Sequence, residues 1–433
     1  MFNKASKKNS KSFNRVKQST LKKNEGADRP SIPLVTVTIT FLIAGLLMIF
    51  SASAVLAFVR YQDTFYFVKR QIIFIVIGLV LAYIIYKLSY LQLRYLTKIL
   101  LIVGTILLIF ILPQAIFDIP MPGVVTLNGA TRWIRIPGLF DIQPAELAKI
   151  VVIMFTALWL TRGEKTKIKM GKWVKSYKDN EYLYPLINLG YSIFPLLVTF
   201  ILSMFILLER DLDTIVVIVL TFFAIYYAAS TTKKETRFVM ILLILALVVG
   251  TAASILEPYR RERVMSFVEI LVKGEPENKQ GASFQIWNGL IAIGSGGIFG
   301  VGYGESRQKL FFLQEAAYTD SIFAVFAEEF GLMGSLILIF GYFYFMSLGL
   351  QIARSSKNKY LALIAVGVTT WISVQAFLNI AANLGIIPFG GMPLPFLTYG
   401  GSNTITTLMG IGLLLNVSKA SNTNQSTAKR VIR

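Results

Sequence analysis

Apolar stretches of roughly 20 residues return again and again along this chain, and each is long enough to cross a hydrocarbon core about 30 Å thick. They lie at about Leu34–Phe58, Val68–Leu88, Leu93–Leu112, Leu147–Leu160, Ile193–Leu208, Ile215–Ser230, Phe238–Leu256, Ser321–Leu350, Tyr360–Ala382 and Thr404–Val417. Of 433 residues 55% are apolar and only 15% charged, far from the balance of a soluble domain. The pattern predicts an all-α polytopic membrane protein with about ten transmembrane helices and a long extracytoplasmic loop between helices seven and eight. Cysteine and histidine are both absent, which excludes disulfides, thiolate metal sites and every His-dependent base or triad. Acid–base chemistry here must use carboxylates, lysine or tyrosine.

Charge gives a second test of the span count. Lys and Arg stay on the cytoplasmic side during insertion, and ten spans put both termini on one side. That side then carries about 29 of the 43 basic residues and about 6 of the 23 acids, as expected for a cytoplasmic face. The net charge of +20 is accounted for by this basic surface facing anionic lipid. The basic segments lack interleaved aromatics, so nucleic acid is not an expected partner. Met1–Pro30 is too polar to bury a core and is expected to be a disordered cytoplasmic tail, not a secretory signal. Residues 31–418 then form a single transmembrane domain, followed by a cytoplasmic tail over 419–433. The outer loops Pro113–Glu146 and 257–320 are long enough to be functional or locally folded. The last outer loop, Asn383–Gly401, is dense in Gly and Pro, a composition tolerated there only against protein or a wet cavity.

Within these loops a few residues could carry chemistry. In NGATRWIRIPGLFDIQPAELAKI, Arg132, Trp133 and Arg135 fit either an interfacial anchor or a site. Glu146 and Lys149, three apart on one helical face, fit either an internal ion pair or a polar path. Arg260, Arg261 and Arg263 run against the positive-inside bias, so they call for an anion or for neighbouring Glu257 and Glu262. The run GSGGIFGVGYGESRQKL permits close backbone approach or an anion nest and includes Arg307 and Lys309. Asp320 heads an apolar helix and reads equally as an N-cap or as a partly desolvated base. Glu328 and Glu329 fall deeper, where an unpaired charge costs at least ~2 kcal/mol, so each needs a partner, for which Lys149 is a candidate.

These segments together resemble the SEDS family, the FtsW/RodA-type membrane proteins of bacterial wall synthesis. The likeness rests on Asn128–Lys149, YRRERV (Tyr259–Val264), Gly289–Leu310, TDSIFAVFAEEFGLMG (Thr319–Gly334) and NLGIIPFGGMPLPFLTYGGSN (Asn383–Asn403), with GVGYGESRQKL and RRERV favouring the FtsW division branch. The chain departs from the family where PEAHTDF is QEAAYTDS, PDLG is RDLD (Arg210–Asp213) and SYGGSS is TYGGSN. The resemblance implies an inverting peptidoglycan glycosyltransferase that polymerises lipid II on the outer face of the cytoplasmic membrane, at the division septum. It puts the catalytic base on Asp320 and functionally important basic residues on Arg132 and Lys149. It also implies a single-span class B penicillin-binding protein transpeptidase and other division proteins as partners.

Residues and resemblance lead to one expected mechanism. Asp320 takes the proton of an acceptor hydroxyl, while Arg132, Lys149, Arg260, Arg261 and Arg263 stabilise the departing pyrophosphate. Glu146, Glu328, Glu329, Arg307, Lys309, Pro393, Pro395 and Ser402 are expected to support the cavity. No dedicated metal cage is evident, although a divalent cation (Mg or Mn) could share the pyrophosphate charge. The competing readings are a transporter of lipid-linked wall precursors, an elongation polymerase of the RodA type and a non-catalytic division scaffold.

Overall fold

In the computed structural model the described residues are 30–127, 130–136, 141–174, 183–230, 237, 241, 245, 258–274, 281–388 and 390–431. They form eleven helices and one small sheet: α1 (Ile32–Tyr61), α2 (Tyr66–Lys87), α3 (Tyr90–Phe117), β1 (Val124–Leu127), β2 (Ala130–Arg135), β3 (Asp141–Ile142), α4 (Pro144–Val174), α5 (Leu183–Leu208), α6 (Leu212–Ala229), α7 (Pro258–Lys273), α8 (Gly281–Ser295), α9 (Ile322–Ser355), α10 (Lys359–Asn383) and α11 (Gly401–Val431). The expected tail before residue 30, and the expected span Phe238–Leu256 apart from residues 241 and 245, fall outside the described residues.

Among the described residues seven helices are long and apolar enough to cross a membrane, namely α1, α2, α3, α4, α6, α9 and α10, and Phe194–Leu208 of α5 forms a shorter apolar helix. The remaining expected span, Thr404–Val417, lies in α11, whose Asn403, Thr404, Thr406, Thr407 and Asn416 are buried. Polar side chains of this kind lower hydropathy without exposing the helix to lipid, because they bond inward. Asn416 donates to the Ile85, Tyr86 and Leu88 carbonyls at 3.0, 3.0 and 2.7 Å, tying α11 to the end of α2.

Apolar length and helix length part company at the ends. Helix α4 continues from the expected end at Leu160 to Val174, and α5 begins at Leu183 rather than Ile193. Lys-rich sequence is good helix former, so backbone hydrogen bonding carries the helix past the point where hydropathy stops. Pro113, expected to open a loop, sits inside α3, which runs on to a left-handed cap at Asp118. The first long loop folds into an antiparallel three-stranded sheet in the order β1-β2-β3, with Val124 opposite Ile134 and Ile134 opposite Ile142.

The described residues of the second long loop are also folded. After α7 and α8, the glycine-dense run packs on α9 where that helix is broken. Gly331 lies at φ 65°, ψ −164°, so the helical ladder is interrupted there. Loop backbone replaces the missing partners: Val301 N and Gly302 N each donate over 3.0 Å to the Glu328 and Glu329 carbonyls, and Leu332 N and Met333 N donate to Gly297 and Ile298 at 2.9 and 3.0 Å. Such a break is tolerated at membrane depth where freed backbone groups find protein, as these four do. A Cβ on Gly331 would strike the Gly300 amide, and positive φ there disfavours any other residue. Gly331→Ala is therefore expected to destabilise by about 3 kcal/mol or more, read as a fall in the thermal unfolding temperature of the purified protein in detergent.

The last loop turns back into the bundle. Leu394, Phe396 and Leu397 are buried, and a Cβ on Gly45, midway along α1, would collide with the Phe396 carbonyl oxygen. With no regular structure of its own, the segment takes partners from helix side chains: Tyr342 Oη donates to Pro395 O at 2.5 Å, Gln375 Nε2 to Pro393 O at 2.9 Å and Asn379 Nδ2 to Met392 O at 2.6 Å.

Candidate active site

The turn before α9 is fixed from three sides. Gln314–Tyr318 forms a 3-10 turn with Ala317 and Tyr318 buried. The Tyr318 ring packs on Phe67 and Tyr399 with centroids 4.5 and 5.8 Å away, and Tyr399 N donates to Tyr318 O at 3.0 Å. The next carbonyls are held as well: Thr398 Oγ1 donates to Thr319 O at 3.1 Å, and Asn379 and Asn383 of α10 donate to Asp320 O at 2.9 and 3.1 Å. Asp320 is thus placed by its backbone, and its half-buried carboxylate is left for other work.

That carboxylate does not cap α9. Ser321 occupies the N-cap position and makes no side-chain capping bond, which corrects the capping alternative. Asp320 Oδ1 instead accepts from Thr319 Oγ1 at 3.0 Å and from Gln285 Nε2 of α8 at 3.3 Å. Burial pushes its acidity constant above the ordinary aspartate value, while Arg263, Thr319 and Gln285 pull the other way. The result is a carboxylate more basic than a solvated one, with a guanidinium charge acting on it, which suits the removal of a proton from a bound hydroxyl.

Opposite Asp320, across Gly391, lies Asp213 of α6. A Cβ built on Gly391 would stand 3.7 Å from Asp320 Oδ2 and 4.0 Å from Asp213 Oδ2, so one methyl group would touch both carboxylates. Arg263 is the cation that acts on both. Of the other arginines expected with it, Arg261 is exposed and the Arg260 side chain lies outside the described residues.

Arg132, on β2, faces the turn between α5 and α6. Its Nε donates to Glu209 O at 3.2 Å, its Nη2 bonds Arg210 O, and its Nη1 lies 4.0 Å from Asp211 Oδ1. Asp211 caps α6 through Thr214 N at 3.3 Å and accepts from Gln143 Nε2 at 2.8 Å. The neighbouring Glu209 is fully buried, and neither carboxyl oxygen has a hydrogen-bond partner among the described residues. Burial, with Asp211 adding to it, pushes this carboxyl up to about 9 against the pull of Arg132. The folded protein therefore keeps a proton that the unfolded chain releases near its ordinary value of about 4.3, and stability falls as pH rises from there to about 9. Glu209→Gln is expected to unfold at a higher temperature than the parent, by a margin that widens between pH 5 and pH 9. A margin independent of pH would contradict the buried acid.

Lys149 and Glu146 form a buried ion pair at 2.7 Å within α4. Lys149 Nζ also donates to Gln375 Oε1 at 2.8 Å and lies 5.1 Å from the Trp371 ring centre, while Thr406 Oγ1 donates to Glu146 Oε2 at 3.2 Å. The pair therefore joins α4, α10 and α11. Ser402 closes the same region, accepting from Gln143 N at 2.9 Å and donating to Asp141 O at 3.0 Å.

Glu328 and Glu329 do not meet Lys149, which corrects that pairing. The broken helix brings the 304–309 segment back on them: Glu329 Oε1 pairs with Lys309 Nζ at 2.6 Å and accepts from Ser51 Oγ at 2.5 Å, and Glu328 accepts from Ser306 Oγ at 2.5 Å and Arg307 N at 3.0 Å. The Arg307 side chain points outward and is exposed. Pro393 and Pro395 contribute their carbonyls to Gln375 and Tyr342, as described above. Sequence reasoning missed Asp213, Gln285, Asn379 and Asn383. The two asparagines, one helical turn apart at the end of a largely apolar helix, carry the signal that polar groups at membrane depth give.

The family FtsW/RodA/SpoVE, described as "Cell cycle protein", matches residues 32–423. Stage V sporulation protein E of Bacillus subtilis (strain 168) is 35% identical over 392 residues, covering 90% of this chain and 98% of the relative. The probable peptidoglycan glycosyltransferase FtsW of Thioalkalivibrio sulfidiphilus (strain HL-EbGR7) is 34% identical over 403 residues, 91% of this chain and 90% of that one. Among solved structures, a chain of a peptidoglycan synthase complex that coordinates polymerization and crosslinking aligns with a TM-score of 0.67 at 24% identity, over 90% of this chain and 98% of its own. The rod shape determining protein RodA of Thermus thermophilus aligns with a TM-score of 0.59 at 22% identity, over 91% of this chain and 98% of its own. With a similar, predominantly helical fold and matching sequence over nearly its whole length, this chain belongs to the FtsW/RodA/SpoVE family of cell cycle proteins.

Proposed function

We propose that this integral membrane protein is an inverting peptidoglycan glycosyltransferase that polymerises lipid II. The observation that carries the reading is Asp320, a half-buried carboxylate with its backbone fixed by Asn379 and Asn383 and with the charge of Arg263 acting on it. In the proposed step Asp320 takes the proton of an acceptor sugar hydroxyl, whose oxygen attacks the anomeric carbon of the donor. The bond from that carbon to the pyrophosphate oxygen breaks, and the lipid pyrophosphate leaves carrying the electron pair. Arg263 is the cation whose charge acts on the base, and we assign Arg132, Lys149, Arg260 and Arg261 to the same anionic substrate, with Lys149 acting from within its ion pair. Among the described residues no three carboxylates converge as a metal cage, so a divalent cation is proposed only as a counter-ion arriving with the pyrophosphate.

The charge asymmetry of the loops supports cytoplasmic termini and an external site. Likeness to proteins named FtsW supports action at the division septum beside a single-span class B penicillin-binding protein transpeptidase. The transporter reading rested on Glu146, Lys149, Glu328 and Glu329, and each of these four bonds a protein partner, which favours fixed structure over a path. The test is purified full-length protein, with its transpeptidase partner, incubated with lipid II: glycan strands are expected on a gel. Translocation of lipid II across vesicles without polymer would overturn the reading.

A further inference from the structure

Asp213 stands where the resembled pattern has glycine, and nothing above gives it a task. An acid in the first turn of α6 already suits the helix dipole, a role served equally well by a carboxylate pointing into solvent. Its position is more specific than that role requires. The Asp213 carboxylate lies beside the Gly391 backbone, 4.0 Å from where a Cβ on that glycine would stand. It also fills the space beside Gly390, where any Cβ would collide with Oδ1. The charged groups that face it are Asp211 from the turn before α6, Arg263 from α7 and Arg132 from β2, with Asp320 across Gly391. Asp320 in turn faces Arg263, Thr319 and Gln285.

Two consequences follow from this placement. The Gly390–Gly391 backbone is packed directly against the Asp213 carboxylate, which limits how far it can shift between the two acids. Arg263 acts electrostatically on both carboxylates, so the two acids compete for the charge of one cation. We propose that Asp213 is a positioning residue for the reacting carboxylate: it braces the Gly390–Gly391 backbone and shares the charge of Arg263, which keeps Asp320 uncovered and out of a closed ion pair. The proposal rests on the glycosyl-transfer reading given above.

The test uses the full-length protein with its transpeptidase partner and lipid II, measuring kcat and KM as a function of pH. Asp213→Asn keeps the volume but removes the charge. It is expected to lower kcat about tenfold with KM within about twofold, since the loss lies in positioning rather than in binding. With no second acid competing for the charge of Arg263, the acid limb of the pH profile should move to lower pH. Parental kcat and an unmoved acid limb would overturn the proposal. Asp320→Asn in the same assay separates the two levels of inference. If Asp320→Asn still polymerises, the glycosyl-transfer reading fails; if it is inert while Asp213→Asn behaves as the parent, only the positioning role fails. A second measurement needs no turnover: Gly390→Ala should lower the thermal unfolding temperature in the parent and much less in an Asp213→Gly background. Equal losses in both backgrounds would also overturn the contact.

Discussion

Asp320→Asn is expected to cut polymerisation of lipid II by about 10²-fold to 10⁴-fold, the range that a positioned general base contributes. The substitution keeps the size of the side chain and an acceptor for Thr319 and Gln285, so the bonds that hold the turn survive. The backbone anchors from Asn379 and Asn383 do not depend on the side chain at all. Folding should therefore be preserved, and the unfolding temperature should stay close to that of the parent. In the parent, activity should fall as pH drops through an acidity constant raised by burial, so the acid limb should lie above the ordinary aspartate value of about 3.9. Undiminished glycan product from the variant would remove the assignment of the base.

The second large effect is on stability. Lys149→Met leaves the Glu146 carboxylate buried with Thr406 as its remaining partner, and breaking a buried pair from one side costs about 3–5 kcal/mol. A marked fall in unfolding temperature in detergent is expected. The double replacement Glu146→Gln with Lys149→Met removes both charges and should recover most of the loss, because an apolar or neutral pair of similar volume is often as stable as the ions. Once folding is restored, the polymerisation rate of the double variant reads the direct contribution of the amine to substrate. No recovery in the double variant would mean that the cost lies in packing against Trp371 rather than in charge.

What the sequence makes legible is the part of the fold governed by solvent. Apolar stretches locate the spans because lipid selects them residue by residue, and the helices of α1, α2, α9 and α10 coincide with expected spans to within a few residues. A polar inner helix is marked more weakly by the same logic, yet the expected span Thr404–Val417 does fall in α11, whose asparagines and threonines are buried against other helices rather than facing water. Extensions such as Leu160 to Val174 escape hydropathy because they leave the membrane without leaving the helix.

The site was legible only in part. Asp320 announced itself as a lone acid ahead of an apolar helix, and the cost of burying Glu328 and Glu329 showed that both needed partners. Which partners they take depends on the break at Gly331, which folds the 296–309 segment back on its own neighbour; a hydrophobic profile cannot show such a reversal. Lys309, not Lys149, is the result. Asp213 was visible as a departure from the resembled pattern, yet its nearness to Asp320 arises from the inward course of residues 390–400.

That inward course makes the loop a passenger of two helices. Its carbonyls are gripped by Tyr342 of α9 and by Gln375 and Asn379 of α10, and it has no ladder of its own to keep its depth. A slight tilt of either helix must therefore raise or lower Gly391 against the two acids it separates. Lateral pressure on α9 or α10, from thicker lipid or a docked neighbour, would act like a hand on a lever whose short arm ends at the reacting carboxylate.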